Sequence, residues 1–588
     1  MPERDAADVF RRIRTGANAE AVVQQIQEGS LIMELSIVPE PSPRFQFPYI
    51  DKIPSTLKQS TYFRSQLYEA IESSEHSPRL THGRTPLQHS NYAKPLHAAK
   101  FVDPLLEDAK ASNWTTVSSN DRLMRTLLEG YLVNQYSEHF FFHKEYLLAD
   151  MASMETRFCS PLLVNALLAK ACVSSRLFAS HARFWEPDSL LYRFLAEAKR
   201  LWELEDGEPR LPTIQAGCLI SATMNDFGQD APGFVYTRKA LGMAHRMGLF
   251  LAPRTDDTKL EHAKSFTAWG LYTWLTSQSY FCFKPPYMLA DDTPAQSLPD
   301  VETNPEWYGD ISLRYPPDQH SYPTGFGQGM KALSELRVIK NEVNAMCFNA
   351  SEVPKKMLWE AALLIQTKLE AWYEALPALL QPRSLLYPAH LLLHSEYHSI
   401  LITLFKSQIS SANGSGPPLT HHQHFAAQET ILQATIHLES LLRIYYLRHS
   451  FEAYDSLLTV FLVHLANLTL EPLEQFEQDP SNVPRDTSES LLSTLILCLK
   501  GLYDQSKSAY VAGVLLAILK KRLSAEVHDA VARYTAPDDL DTKSEATFES
   551  TVGELQPVPS EFVLPGADLC QDPKPWRLGN LAEQLRRR

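Results

Sequence analysis

Apolar residues recur at three- and four-residue spacing along most of this chain, from Arg122 to about residue 523, and that period is the signature of amphipathic helix. "RLMRTLLEGYLVNQY" predicts one such helix. "SPLLVNALLAKACVSSRLFASHARF" predicts the next, with Ser160 as N-cap and Pro161 at the first helical position, the order those residues favour. Further helices are expected over 188–204, 212–226, 234–247 and 259–283, then from near 328, and over 354–376, 388–410, 421–447, 451–474, 486–503 and 507–523. No stretch alternates with the period of a strand, and no fixed-length repeat occurs. The expectation is an all-α protein.

The pattern also divides the chain. Residues 1–90 hold two short helical motifs, "DAADVFRRIR" and "NAEAVVQQIQEG", the second bounded by Asn18 and Gly29, followed by the proline-rich run "LSIVPEPSPRFQFPYIDKIPS", which should be extended. Residues 91–290 form a first helical region after a polar loop, 291–327 an irregular proline and aromatic segment, and 328–525 a second helical region. Residues 526–588 read as an acidic, proline-rich, partly disordered tail. The most apolar run, "LLTVFLVHLANLTL", is interrupted by His464 and Asn467 and reads as a core helix rather than a membrane span.

Composition narrows the function classes. Among 588 residues, 22 glycines and 39 prolines suit helices punctuated at their ends, and a net charge of −14 argues against a nucleic-acid binder as a whole. The seven cysteines (Cys159, Cys172, Cys218, Cys282, Cys347, Cys498 and Cys570) are scattered and never form a C-x-x-C pair, so buried thiols of an intracellular protein are expected rather than disulfides or a zinc site. The amino terminus has no apolar signal-peptide core.

Candidate chemistry is thin. No H-E-x-x-H, G-x-S-x-G, P-loop or G-x-G-x-x-G is present, so no catalytic residue is assigned and the chain is expected not to be an enzyme. Asp291 and Asp292 in "LADDTPAQ" lack the further acid of an aspartate-rich metal motif, since Ala295 stands there. His421, His422 and His424 cluster at an expected helix start, where adjacent side chains point apart. His139 and His143, four residues apart in "SEHFFFHKEYLLADM", would share a helix face as zinc ligands do, but the phenylalanines between them predict packing instead. No metal ligand is assigned. The basic runs are short: Arg11, Arg12 and Arg14; Lys520, Lys521 and Arg522 at a helix end; and the terminal Arg586, Arg587 and Arg588.

Several of these stretches, in order, resemble the regulatory, or middle homology, region of fungal-specific zinc-cluster transcription factors, closest to the nitrate-assimilation activator branch. They are "IRTGANAEAVVQQIQEGSLIMELSIVPEPSPRFQFPYI", "YFRSQLYEA", "HKEYLLADM…RFCSPLLVNALLAKAC", "GFVYTRKALGMAHRMGLF", "HAKSFTAWGLYTW", "ETNPEWYG", "LLLHSEYHSILITLF" and "FEAYDSLLTVFLVHLANLTL". The resemblance implies that 91–290 and 328–525 form one large helical regulatory lobe of a nuclear transcription regulator. It implies partners among other regulators or the transcription machinery, a small-molecule effector whose site residues are unknown, and homo- or heterodimerisation. Departures are Ser137 and Phe140 beside the H-F-F-F segment and Leu275 in the tryptophan-bearing helix. The family's six-cysteine zinc cluster has no counterpart here, since the first cysteine is Cys159, so no cofactor is expected and DNA would be reached only indirectly or through a module these residues lack. Two other readings stand beside this one: a small-molecule binder or enzyme on a repurposed helical fold, with residues 280–326 as the place for its site, and an inhibitory partner that titrates full-length regulators.

Overall fold

Ser160 and Pro161 open a helix as their chemistry predicts: Ser160 Oγ accepts from Leu163 N at 3.1 Å, and proline takes the position whose N–H has no partner within the helix. The computed structural model in which this is seen describes residues 57, 60–64, 96, 99–175, 182–205, 207–289, 292–315, 321–348, 357–409, 419–478, 485–535, 556–566 and 572–587. The two helical motifs expected before residue 30, with Arg11, Arg12 and Arg14, and the proline-rich run lie outside them.

The fold is largely all-α. Its first half contains α1 (Pro104–Asp108), α2 (Asp121–Asn134), α3 (Lys144–Ser153), α4 (Pro161–Ser174), α5 (Leu190–Glu203), α6 (Leu211–Asn225), α7 (Asp230–Met247) and α8 (Thr258–Phe281). Its second half contains α9 (Phe326–Cys347), α10 (Trp359–Glu374), α11 (Pro388–Ile409), α12 (His421–His449), α13 (Ser456–Gln478), α14 (Arg485–Ser506), α15 (Tyr510–Lys520) and α16 (Ala525–Thr535). Helix α17 (Leu578–Arg586) lies on α15. In the first half α4 packs on α2, α5 and α6, and α6 packs on α7; in the second, α11 packs on α12 and α13 on α14. The α8–α9 contact joins the halves, and one hydrophobic cluster runs through both.

Helix boundaries follow local chemistry. Helix α7 starts at Asp230, ahead of the expected 234, because Pro232 falls in the first turn, where a missing N–H costs nothing. Helix α13 starts at Ser456 rather than 451, since Ser450 has φ 57° and Asp455 Oδ1 accepts from Leu457 N and Leu458 N at 2.9 and 3.1 Å. As a helix, Ser456–Gln475 is long and apolar enough to span a membrane, but 72% of that window is buried against its neighbours.

The irregular segment contributes two strands of a three-stranded antiparallel sheet that the sequence pattern does not show: β1 (Lys100–Phe101) pairs with β2 (Ser312–Arg314), which pairs with β3 (Ser321–Pro323), with Phe101 opposite Leu313 and Leu313 opposite Tyr322. Strands of two or three residues are too short for alternation to register. Part of the expected tail folds back. Val563 N donates to Phe281 O at 2.8 Å, Glu561 N to Asp230 Oδ2 at 2.8 Å and Asn467 Nδ2 to Pro565 O at 2.7 Å.

Candidate functional site

The H-F-F-F segment is not helical. It runs between α2 and α3, with His143 as the N-cap of α3, so the helical geometry that would pair His139 with His143 is absent. Its carbonyls are held from α2 and the turn that follows: Tyr131 Oη donates to His139 O at 2.7 Å and Tyr136 Oη to Phe142 O at 2.6 Å. The histidines face different neighbours. His139 packs beside Trp274, with ring centroids 5.2 Å apart, while His143 lies 4.3 Å from Tyr146 and 4.9 Å from His262. Burial keeps both neutral, pushing His143 down to about 3.

The turn before that segment carries Glu138, which enters a buried charge network. The Nη2 of Arg337, on α9, donates to both Glu138 oxygens at 2.8 Å and to Glu396 Oε2 at 3.2 Å, and Lys340 Nζ donates to Glu396 Oε1 at 2.7 Å. Two cations thus balance two carboxylates in the interior, which is what makes their burial tolerable. Burial pushes Glu138 up, while the two cations hold Glu396 low. The network ties together α8, α9, α11 and the Glu138 turn, since Arg337 Nη1 also donates to Thr273 O at 3.4 Å.

Glu138 also lines a cavity of about 360 Å³. That volume falls within the roughly 300–1,000 Å³ usual for small-molecule sites. The walls come from both halves: Glu129, Gly130 and Val133 of α2; Phe326, Gly329 and Met330 of α9; His390 and Leu393 of α11; Tyr445 and His449 of α12; and Asp455 just before α13. Among the described residues of the segment expected to hold a binding site, 280–326, Ile311, Leu313 and Thr324–Phe326 reach it. Ser137, one of the departures noted above, lines it as well.

Two wall residues are glycines inside helices. A Cβ built on Gly130 or Gly329 would meet nothing within 4 Å. Glycine in a helix costs roughly 0.5–1 kcal/mol relative to alanine, and no close neighbour at either position requires it. What the two glycines preserve is open space.

A second cluster lies where the isolated segment Thr61–Arg64 docks on α12. Tyr62 is fully buried, and its hydroxyl lies 2.9 Å from His394 Nδ1, 2.8 Å from His398 Nε2 and 2.9 Å from Tyr373 Oη. The proton positions follow. His394 Nε2 must donate to Leu380 O at 2.8 Å, so its Nδ1 accepts from Tyr62, which in turn accepts from His398 and Tyr373.

Comparison with known proteins gives the relatives of this sequence. The chain is 28% identical over 408 residues to the nitrogen assimilation transcription factor nirA of Emericella nidulans, covering 65% of this chain and 43% of nirA. It is 24% identical over 446 residues to the nitrogen assimilation transcription factor nit-4 of Neurospora crassa, covering 71% of this chain and 40% of nit-4. It is 25% identical over 311 residues to the notoamide biosynthesis transcriptional activator notL' of Aspergillus versicolor, covering 50% of this chain and 47% of that one. The homologues of this chain are fungal transcription factors. The chain spans less than half the length of each of these three. No family model and no solved structure matches it.

Within this homologue of fungal regulators, the residues singled out by sequence are dispersed. Asp292 accepts from Leu289 N at 2.9 Å in a loop, and Asp291 is outside the described residues. His421, His422 and His424 occupy the first turn of α12, opened by a capping box in which Thr420 Oγ1 accepts from Gln423 N at 3.3 Å and Gln423 Oε1 accepts from Thr420 N at 2.9 Å. Arg522 Nη1 donates to Asn467 Oδ1 at 2.7 Å, and Arg586 and Arg587 pair with Glu583 on their own helix. Six cysteines are described and all are buried. Among the described residues no group of three or more His, Cys, Asp or Glu is arranged to hold a metal ion. The cavity residues carried no motif. The one local signal was Gly130, a helix breaker inside the otherwise strong pattern "TLLEGYLVNQY".

Proposed function

We propose that this chain is the effector-sensing regulatory region of a fungal transcription regulator acting in the nucleus, and that it is not an enzyme. The observation that carries the reading is the cavity of about 360 Å³ between the two halves, with Gly130 and Gly329 leaving space in its walls. Glu138 lines this cavity and anchors Arg337, so an occupant touching the wall acts on the charge network that joins α8, α9 and α11. A ligand that favours one packing of the halves shifts the population toward it, and partners in the transcription machinery respond to that packing. The homology to transcriptional regulators supports the output; the cavity supports the input.

The test fuses the full chain to a heterologous DNA-binding domain and reads a reporter under inducing and non-inducing growth. Gly130→Leu and Gly329→Leu place side chains into open space, so both variants should melt at or above the wild-type temperature. The inducible response should fall by roughly fivefold or more, the lower end of typical allosteric coupling. Two folded variants that respond like the wild type would sink the reading.

A further inference from the structure

The same cavity has a definite electrostatic character. Glu129, Glu138 and Asp455 line it, and among the described residues that line it there is no lysine or arginine. Glu138 is matched by Arg337, but among the described residues no ion pair is made by Glu129, which accepts from Phe101 N at 3.0 Å, or by Asp455, whose side chain accepts from the backbone N–H groups of Leu457 and Leu458 at the start of α13.

A further wall residue presents an acceptor. His390 is 3% exposed, and its Nε2 donates to Thr324 O at 3.1 Å, which leaves Nδ1 as a buried lone-pair acceptor without a partner among the described residues. Tyr387, Tyr445 and Phe326 add aromatic surface. Arg448 is buried and, among the described residues, has no hydrogen-bond partner for its three guanidinium nitrogens, but it does not line the cavity. Unpaired carboxylates, an orphan acceptor and aromatic rings together ask for a ligand that is positively charged and rich in N–H donors.

We propose that this cavity binds a small organic cation, a protonated amine or guanidinium, whose N–H groups are taken by Glu129, Asp455 and His390. The inference rests on the effector reading above and adds the chemical class of the effector. The carboxylates supply attraction and the rings cover the hydrocarbon part. The charge also discriminates: an acid of the same size would meet two carboxylates and, among the described lining residues, no lysine or arginine.

Calorimetric titration and thermal shift on the full chain test it with four probes of similar length: putrescine, agmatine, succinate and 1,4-butanediol. The two cations should bind saturably and raise the melting temperature, and succinate and the diol should do neither. The Glu129→Gln, Asp455→Asn double variant keeps the oxygen acceptors for Phe101 N and for the start of α13 while removing both charges. It should fold as the wild type does and weaken the cations roughly tenfold or more. Succinate binding, undiminished cation binding to the double variant, or no binding by any probe would each overturn the cation assignment. The reporter experiment separates that failure from failure of the effector reading. If Gly130→Leu abolishes induction while the cations do not bind, only the chemical class is wrong; if Gly130→Leu responds normally, the effector reading itself fails.

Discussion

At the scale of single residues, Gly270 shows how a close approach is written into the chain. It lies midway along α8, and a Cβ there would sit 2.4 Å from Phe140 O and 3.1 Å from the carbonyl carbon. The H-F-F-F backbone lies directly on the helix at this point. The colliding atoms are backbone already held by Tyr131 and Tyr136, so they cannot swing aside. Gly270→Ala should therefore cost about 2–4 kcal/mol in a urea melt, as overpacking does. Gly242→Ala, at an exposed helical position with nothing within 4 Å, should instead stabilise by about 0.5–1 kcal/mol. Equal melts for the two variants would remove the close approach from the account. The glycine itself is visible in "TAWGLYTW"; its partner at Phe140 is not, because 130 positions separate them and periodicity reports only on neighbours in one helix.

At the scale of elements, the docked segment around Tyr62 has a specific attachment. One hydroxyl satisfies His394 and His398 on α11 and Tyr373 on α10. Tyr62→Phe keeps the ring and removes that hydroxyl, leaving three buried polar groups short of a partner. The expected cost is about 1–3 kcal/mol, and amide exchange should speed up in residues 60–64 before it changes in α11. Uniform loss of protection across α10 to α12 would mean that the segment is integral to those helices rather than docked on them. Most of the longer helices were legible from period and caps, as at Ser160–Pro161, and some starts shifted where a proline or a left-handed residue intervened, as at Pro232 and Ser450. Helices α1, α3, α16 and α17 were not expected, and α10 begins at Trp359 rather than 354. The three short strands were not legible: β1 pairs with residues about 210 positions away, and β2 and β3, though neighbours in sequence, are too short for alternation to show.

At the scale of the whole molecule, buried histidines set the response to acid. Burial lowers His143, His394 and His464 to about 3 and His390 to about 4, and it lowers His139, His262, His398 and His437 as well. A folded-state value below the unfolded value of about 6.5 means stability that is complete above pH ~6.5 and lost as pH falls toward the folded value. Asp230 and Asp455, raised to about 6, act in the opposite sense: their contribution is complete below the unfolded carboxylate value and lost as pH rises through 6. Glu138 is raised by burial too. Burial raises Asp150, Asp226, Asp310 and Glu335 as well, making seven raised carboxyls against eight lowered histidines. Because four of the histidines fall to about 3 or 4, the melting temperature should on balance fall from pH ~6.5 to ~4. A melting temperature that climbs over that acid range would contradict the neutral burial of these rings.

By itself the sequence determined the all-α class, the order of the helices and the kinship with fungal regulators, because these rest on local periodicity, capping and ordered resemblance along the chain. It also exposed the weakness of its own metal candidates, since His421, His422 and His424 could not converge on one helical turn. Only the tertiary structure decided where a ligand could sit. Glu129, Glu138, His390 and Asp455 come from four separate segments and meet because helices of both halves leave a gap at their junction. The physical reason is that a helix pattern states which face is buried, whereas a cavity exists where packed faces fail to fill the space between them, and that depends on all the elements at once.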